Sequence, residues 1–236
     1  MIMTARFALG ALAAAVFIAC STKTAESAAP SAAAASKAAV ATYGPDSVAV
    51  TMDTALLRKA DLGRITGNSS ASLMVLEVSD FQCPYCKQFH EQTYAALRAA
   101  YVESGKVRMA YVNLPLRSHQ NAWPAAEAAM CASVQGQFWA MHDSLFSSQD
   151  RWSGITKADT MFGRFARSMT MDAASFDTCV SSHATRPLIA SDAERSSSAG
   201  INGTPAFIIG DSLLSGAYPF SDFKRVIDAN LAAAKR

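Results

Sequence analysis

The chain carries little charge and almost no excess of either sign. Across 236 residues, 21 basic side chains stand against 19 acidic ones, for a formal net charge of +2, and charged residues make up 17% of the sequence. With no basic stripe to follow a phosphate backbone, nucleic acid is excluded as a partner class. No glycine-rich loop of phosphate-binding spacing occurs, so no nucleotide cofactor is expected. No second CxxC follows the one at Cys83 and Cys86, and His90, His119, His142 and His183 form no paired ligand motif, so a zinc site would lack its other half. Internal repeats are absent. The longest charge-free apolar run, Phe7 to Ala19, falls short of the roughly 17–25 residues that cross a bilayer.

That run has a different use. Arg6 precedes it, and Ile18-Ala19-Cys20-Ser21 closes it, which is the layout of an export signal with small residues before a cysteine. Residues 1–20 are read as a lipoprotein-type signal peptide, with Cys20 lipidated. The alternative is a plain signal peptide that leaves Cys20 as an odd thiol. Residues 21–45 are dominated by Ala, Ser, Thr, Lys and Pro, with no aromatic residue before Tyr43, and are read as a flexible tether. The expected location is extracytoplasmic, on a membrane through the lipid.

From there the pattern becomes globular. Leu73 to Val78 reads as a buried strand carrying one acid, Glu77. Phe89, Thr93, Ala96, Leu97 and Ala100 recur at helical spacing, and Lys106 to Leu114 reads as another strand. The cysteine pair therefore sits where a strand feeds a helix. Free N–H groups and the positive end of the helix dipole favour a thiolate there. Cys83 falls at or near the N-cap, Pro84 suits the first turn, where no N–H is needed, and Cys86 lies one turn deeper. The expected roles are Cys83 as exposed nucleophile and Cys86 as resolving cysteine in thiol–disulfide exchange. Half of a zinc site, or an inert structural disulfide, remain the alternatives on these residues alone.

Between residues 118 and 199 the signal is helical. One stripe comprises Ala126, Ala129, Met130 and Val134, another Phe138, Met141, His142, Leu145 and Phe146, and a short third holds Phe162, Phe165 and Ala166. His142 is read as a satisfied interior histidine. Phe207 to Ile209 and Ser212 to Ser215 read as a hairpin about Gly210-Asp211, and Pro219 to Ala234 as a closing helix.

The segment Glu77-Val78-Ser79-Asp80-Phe81-Gln82-Cys83-Pro84-Tyr85-Cys86 is similar to the active-site segment of DsbA-type thiol–disulfide oxidoreductases of the thioredoxin superfamily. The likeness continues through Ala129-Met130-Cys131-Ala132, Gln135-Gly136-Gln137-Phe138-Trp139, Met141-His142-Asp143 and Gly203-Thr204-Pro205-Ala206-Phe207, and spans Asp46 to the C-terminus. It implies an α/β thioredoxin-like fold, with residues 46–117 and 200–236 forming the thioredoxin part and 118–199 an inserted helical domain. It also implies a cis Thr204–Pro205 bond beside the cysteines, substrate contacts from Pro84, Tyr85, Thr204 and Pro205, and a proton-carrying role for Glu77. Cys131 and Cys179 are the cysteines left over, and some family members bridge the corresponding segment, so a second, structural disulfide is expected between them. The implied enzyme is a monomer needing no metal or cofactor. It would oxidise exported proteins that carry cysteine thiols and be reoxidised by a membrane partner. A disulfide isomerase or reductase on the same fold, or a peptide-binding module without chemistry, are the rival functions.

Overall fold

The computed structural model describes residues 40–43 and 48–234, with side chains from residue 52 onward. The expected signal peptide, Cys20 and the tether up to residue 39 lie outside the described residues. Strand β1 (Val40–Tyr43) pairs antiparallel with β2 (Val48–Thr51). This corrects the far end of the tether, which was expected to run to residue 45. Val40, Thr42, Tyr43, Val48, Val50 and Thr51 are β-branched or aromatic, which suits a strand pair, and the alanine run before them masks that signal.

A second sheet has five strands. In spatial order they are β3 (Ile65–Gly67), β5 (Val107–Asn113), β4 (Leu73–Ser79), β6 (Ala206–Ile209) and β7 (Ser212–Ser215). Strands β4 and β5 run parallel, and every other pairing is antiparallel. The turn between β6 and β7 places Gly210 at φ +57°, where a Cβ would meet the Asn230 side chain.

Alternation along the strands sets what each face buries. Val75, Val107, Met109, Phe207 and Ile209 share one core cluster with Phe89, Leu97, Tyr101, Phe223 and Ile227. The last two come from α10 (Phe220–Ala233), and the others on the helical side come from one long helix. That helix begins as α2 (Pro84–Phe89), widens to a π-helix over His90–Tyr94, tightens at α3 (Ala95–Leu97) and widens again over Arg98–Val102. The wide turns rotate the buried stripe. Tyr94, Tyr101 and Val102 are buried, whereas Ala96, expected on the core face, is exposed. Regular 3.6-residue spacing overlooks such turns, which gather at functional sites.

Six helices fill the chain between β5 and β6: α4 (Ala122–Ser133), α5 (Phe138–Ser147), α6 (Gln149–Trp152), α7 (Asp159–Arg167), α8 (Ala173–Ser181) and α9 (Arg186–Ser198). Helix α4 is buried almost all round rather than along one stripe, from Ala125 through Ser133. Its alanines let neighbours approach on several sides, as a centrally placed helix requires. At one crossing, a Cβ on Gly63, which ends α1 (Thr54–Gly63), would come within 2.5 Å of the Ser133 carbonyl oxygen.

Cys131 of α4 and Cys179 of α8 are joined by a disulfide, 48 positions apart. A loop of that length contributes about 4 kcal/mol on the chain-entropy account. The Cys131→Ala/Cys179→Ala variant is therefore expected to lose about 4 kcal/mol, read as a lower urea midpoint. An unchanged midpoint would show the bridge to be energetically idle. Among the described residues, no helix is long and apolar enough to cross a membrane.

Candidate active site

The turn between β4 and α2 is built by Asp80. Its backbone oxygen accepts the Cys83 N–H at 3.0 Å, and its carboxylate accepts the Gln82 N–H at 2.7 Å and the Leu116 N–H at 2.9 Å. Cys83 is the N-cap residue of α2, extended at φ −69° and ψ 125°, and Pro84 opens the helix. From the helical layer, Gln149 donates through Nε2 to the carbonyls of Phe81 at 2.7 Å and Cys83 at 3.0 Å. The Gln82 side chain reaches the Ser153 carbonyl and accepts the Asn121 N–H. The inserted helices thus fix the cysteine turn from behind.

Both cysteines are free thiols, and their environments differ. Cys83, expected as an exposed nucleophile, is instead buried at 3% exposure, because its thiol packs against the loop at Thr204 and donates to the Thr204 carbonyl at 3.4 Å. Its pKa is lowered to about 6. A hydrogen bond with the Cys86 thiol is the main cause, burial opposes it, and the Thr204 side chain and the N–H groups of Cys86 and Tyr85 add to it. Cys86 is fully buried. Burial first, then the neighbouring Cys83, push its thiol well above the ordinary cysteine range. The Thr204–Pro205 bond is cis and stands across from Cys83. Tyr85, 63% exposed, together with Gln88, Thr204, Pro205, Leu213 and Gly216, lines an open groove of about 550 Å3, which reaches Cys83 through its partner Thr204. Pro84 is exposed at the same helix start.

Glu77 lies on β4 in register with Tyr111 of β5 and Phe207 of β6, with its side chain entirely buried. Neither carboxyl oxygen has a hydrogen-bond partner. Burial raises its pKa to about 8, and the charge of Asp143 adds to the rise. The Ser79 hydroxyl lies near enough to Glu77 and Cys86 to favour the charged form of each, without a full hydrogen bond to either. Tyr111 Oη is likewise buried and unpartnered, and both Cys86 and Glu77 hold its phenol protonated, second to burial. Cys86, Glu77, Ser79 and Tyr111 therefore form one buried polar group.

Ser79 and Tyr111 were not picked out from the sequence. Tyr111 shares a face with Glu77 only through the β4–β5 register, which no linear pattern reveals. His119 and Gln149 were missed for the same reason, as was the reach of Asp80 to Leu116 and His119, since these contacts span 36 positions or more.

A metal would need convergent ligands. Among the described residues, one such set occurs, His90, His142 and Asp143, with ligand atoms within 4.8 Å of one another. Its carboxylate already accepts from His142 Nδ1 at 2.8 Å and lies 3.3 Å from His90 Nε2. The second nitrogens, His142 Nε2 and His90 Nδ1, are buried without partners, whereas metal-bound imidazoles normally anchor theirs. The set reads as hydrogen-bonded rather than metal-ready. It also means that His142 is satisfied on one side only.

Comparison with known proteins agrees with this geometry. The family model described as Thioredoxin matches residues 59–229. The curated Na(+)/H(+) antiporter NhaA 3 of Salinispora tropica is 31% identical over 176 residues, which is 74% of this chain and 26% of that protein. The chain thus spans about a quarter of the antiporter-named relatives it matches. The probable disulfide bond formation protein D of Bacillus anthracis is 24% identical, covering 70% of this chain and 76% of that one. Among solved structures, Wolbachia pipientis α-DsbA1 superposes with a TM-score of 0.65 at 22% identity, over 72% of this chain and 92% of its own. The chain belongs to the thioredoxin family and has the fold of its DsbA-type members.

Proposed function

We propose that this chain is a thiol–disulfide oxidoreductase that introduces disulfides into proteins outside the cytoplasm. The observation that carries the reading is the asymmetry of the pair: Cys83, at a helix N-terminus beside an open groove, has its pKa lowered to about 6, while Cys86 is buried and held protonated. A stabilised thiolate favours the reduced form, which makes the disulfide oxidising.

The exchange proceeds in two balanced steps. A substrate thiolate attacks Cys83 of the Cys83–Cys86 disulfide, forming a mixed disulfide and releasing Cys86 as a thiolate. Cys86 needs a proton at once, because its burial disfavours the charge. Glu77, with a pKa of about 8, is protonated at neutral pH and is the donor in this scheme, with Ser79 and Tyr111 lining the way. A second substrate thiolate then attacks the substrate sulfur and expels Cys83 as a thiolate. Two electrons pass from the substrate dithiol to the cysteine pair, and an external oxidant must remove them. In this reading a membrane-bound oxidase does so, and lipidated Cys20 and the tether keep the domain near it. Tyr85, Pro84, Thr204 and Pro205 receive the substrate chain, whose backbone pairs with that of Thr204 as an added strand.

The test uses the oxidised protein with a reduced, unfolded dithiol protein and no other oxidant. One substrate disulfide should form for each Cys83–Cys86 disulfide consumed. No transfer at neutral pH would contradict the assignment.

A further inference from the structure

The motif between the cysteines carries no charge of its own. Pro84 and Tyr85 are neutral, and Lys87, one turn on, is engaged by Asp150 at 2.5 Å and Glu91 at 3.5 Å. Yet the turn holds a buried anion. The Asp80 side chain is 0% exposed, and its backbone oxygen accepts the Cys83 N–H. Alone, that carboxylate would oppose a second negative charge on Cys83.

It is not alone. His119, in the loop between β5 and α4, places Nδ1 2.7 Å from the Asp80 carboxylate. The loop is closed on itself by the His119 N–H to the Leu116 carbonyl at 3.0 Å and by the Ala122 N–H to the His119 carbonyl at 3.2 Å. The side chain is 20% exposed and lines a groove of about 1010 Å3 that Trp123, Arg186 and Glu194 also line. Other charged groups around it are Arg117 and Glu194, both exposed, and Arg186, which is paired with Glu127. Among the described residues, Asp80 is the only carboxylate bonded to the ring.

We propose that His119 is a positioning residue whose imidazolium, anchored on Asp80, holds the Cys83 thiolate from outside the Cys-Pro-Tyr-Cys turn. The inference rests on the exchange role proposed for Cys83. Asp80 ties the two together, because one residue fixes the imidazole through its carboxylate and the Cys83 backbone through its carbonyl. The hydrogen bond to Asp80 raises the His119 pKa, and the Cys83 thiolate adds to the rise. Linkage makes this mutual: a thiolate that favours the imidazolium is favoured by it. The imidazolium persists to higher pH than that of an ordinary imidazole and is lost as pH climbs through the raised pKa.

The experiment titrates the Cys83 thiolate of the reduced protein by its ultraviolet absorbance, in wild type, His119→Gln and His119→Lys. Glutamine can still donate to Asp80 but is neutral, whereas lysine restores the charge. His119→Gln should raise the Cys83 midpoint by about one unit, a tenfold loss of thiolate below it. The same tenfold change in the exchange equilibrium with glutathione lowers the potential by about 30 mV. His119→Lys should stay near wild type. A His119→Gln midpoint within a fifth of a unit of wild type overturns the proposal. So does an equal shift in both variants, which would mark a purely structural role. The titration needs no substrate. If wild-type protein fails to oxidise a dithiol but shows the charge dependence, the assigned function is at fault and this inference stands.

Discussion

Cys83→Ser is expected to lower the rate of dithiol oxidation by more than about a thousandfold, because among the described residues no other sulfur can take its place. Cys86 is fully buried beneath the first helical turn, and Cys131 and Cys179 are bonded to one another. Cys86→Ser is expected to fail differently. Cys83 remains beside the groove, with the N–H groups of Tyr85 and residue 86 still favouring its thiolate, so it should still enter mixed disulfides. With no second cysteine to expel the substrate, those adducts should persist and appear as a heavier band on a non-reducing gel. The two variants together separate attack from resolution. Residual turnover in Cys83→Ser above about one per cent of wild type, or adducts that form through Cys86 instead, would reverse the assigned roles.

Replacing Glu77 should trade stability against rate. Its carboxyl is buried without partners and titrates near 8, against 4.5 for the ordinary group. A raised acid pKa means that the native state holds the proton more tightly than the unfolded chain does. Below about pH 4.5 both states are protonated and the group costs nothing extra. As pH rises from there towards 8, the unfolded state ionises while the folded state cannot, so stability falls by about 1.4 kcal/mol per unit. Glu77→Gln removes that dependence. The variant should gain on wild type with rising pH, by about 3 kcal/mol near pH 7, in urea unfolding from pH 4 to 9. It should also slow exchange, because Cys86 loses its proton partner. A stability difference that is flat with pH would show that Glu77 is not held neutral by the fold. A gain in stability with unchanged exchange would remove its proposed proton role.

The sequence shows the parts of this site that are local, and hides those that depend on register. Cys83, Pro84 and Cys86 are legible because capping and helix spacing act over four residues. Burial of Glu77 is legible from its apolar neighbours on β4. Thr204–Pro205 needed the family likeness, since nothing in its own composition brings it to Cys83. Tyr111 and Ser79 join the buried polar group through strand pairing, and Asp80 finds His119 across 39 positions, so neither relation has a period to read. The long helix after Cys83 misled for another reason. Its π turns over His90–Tyr94 and Arg98–Val102 shift the buried face from Ala96 to Tyr94 and Tyr101, and a count in steps of three and four passes over them.

One measurement bears most directly on the central claim: the equilibrium redox potential of Cys83–Cys86 in the described domain, poised against glutathione. A stabilised Cys83 thiolate predicts a value well above that of thioredoxin, about −270 mV, so that the pair gives its disulfide away. A value at or below thioredoxin's would contradict that account and mark the chain as a reductant.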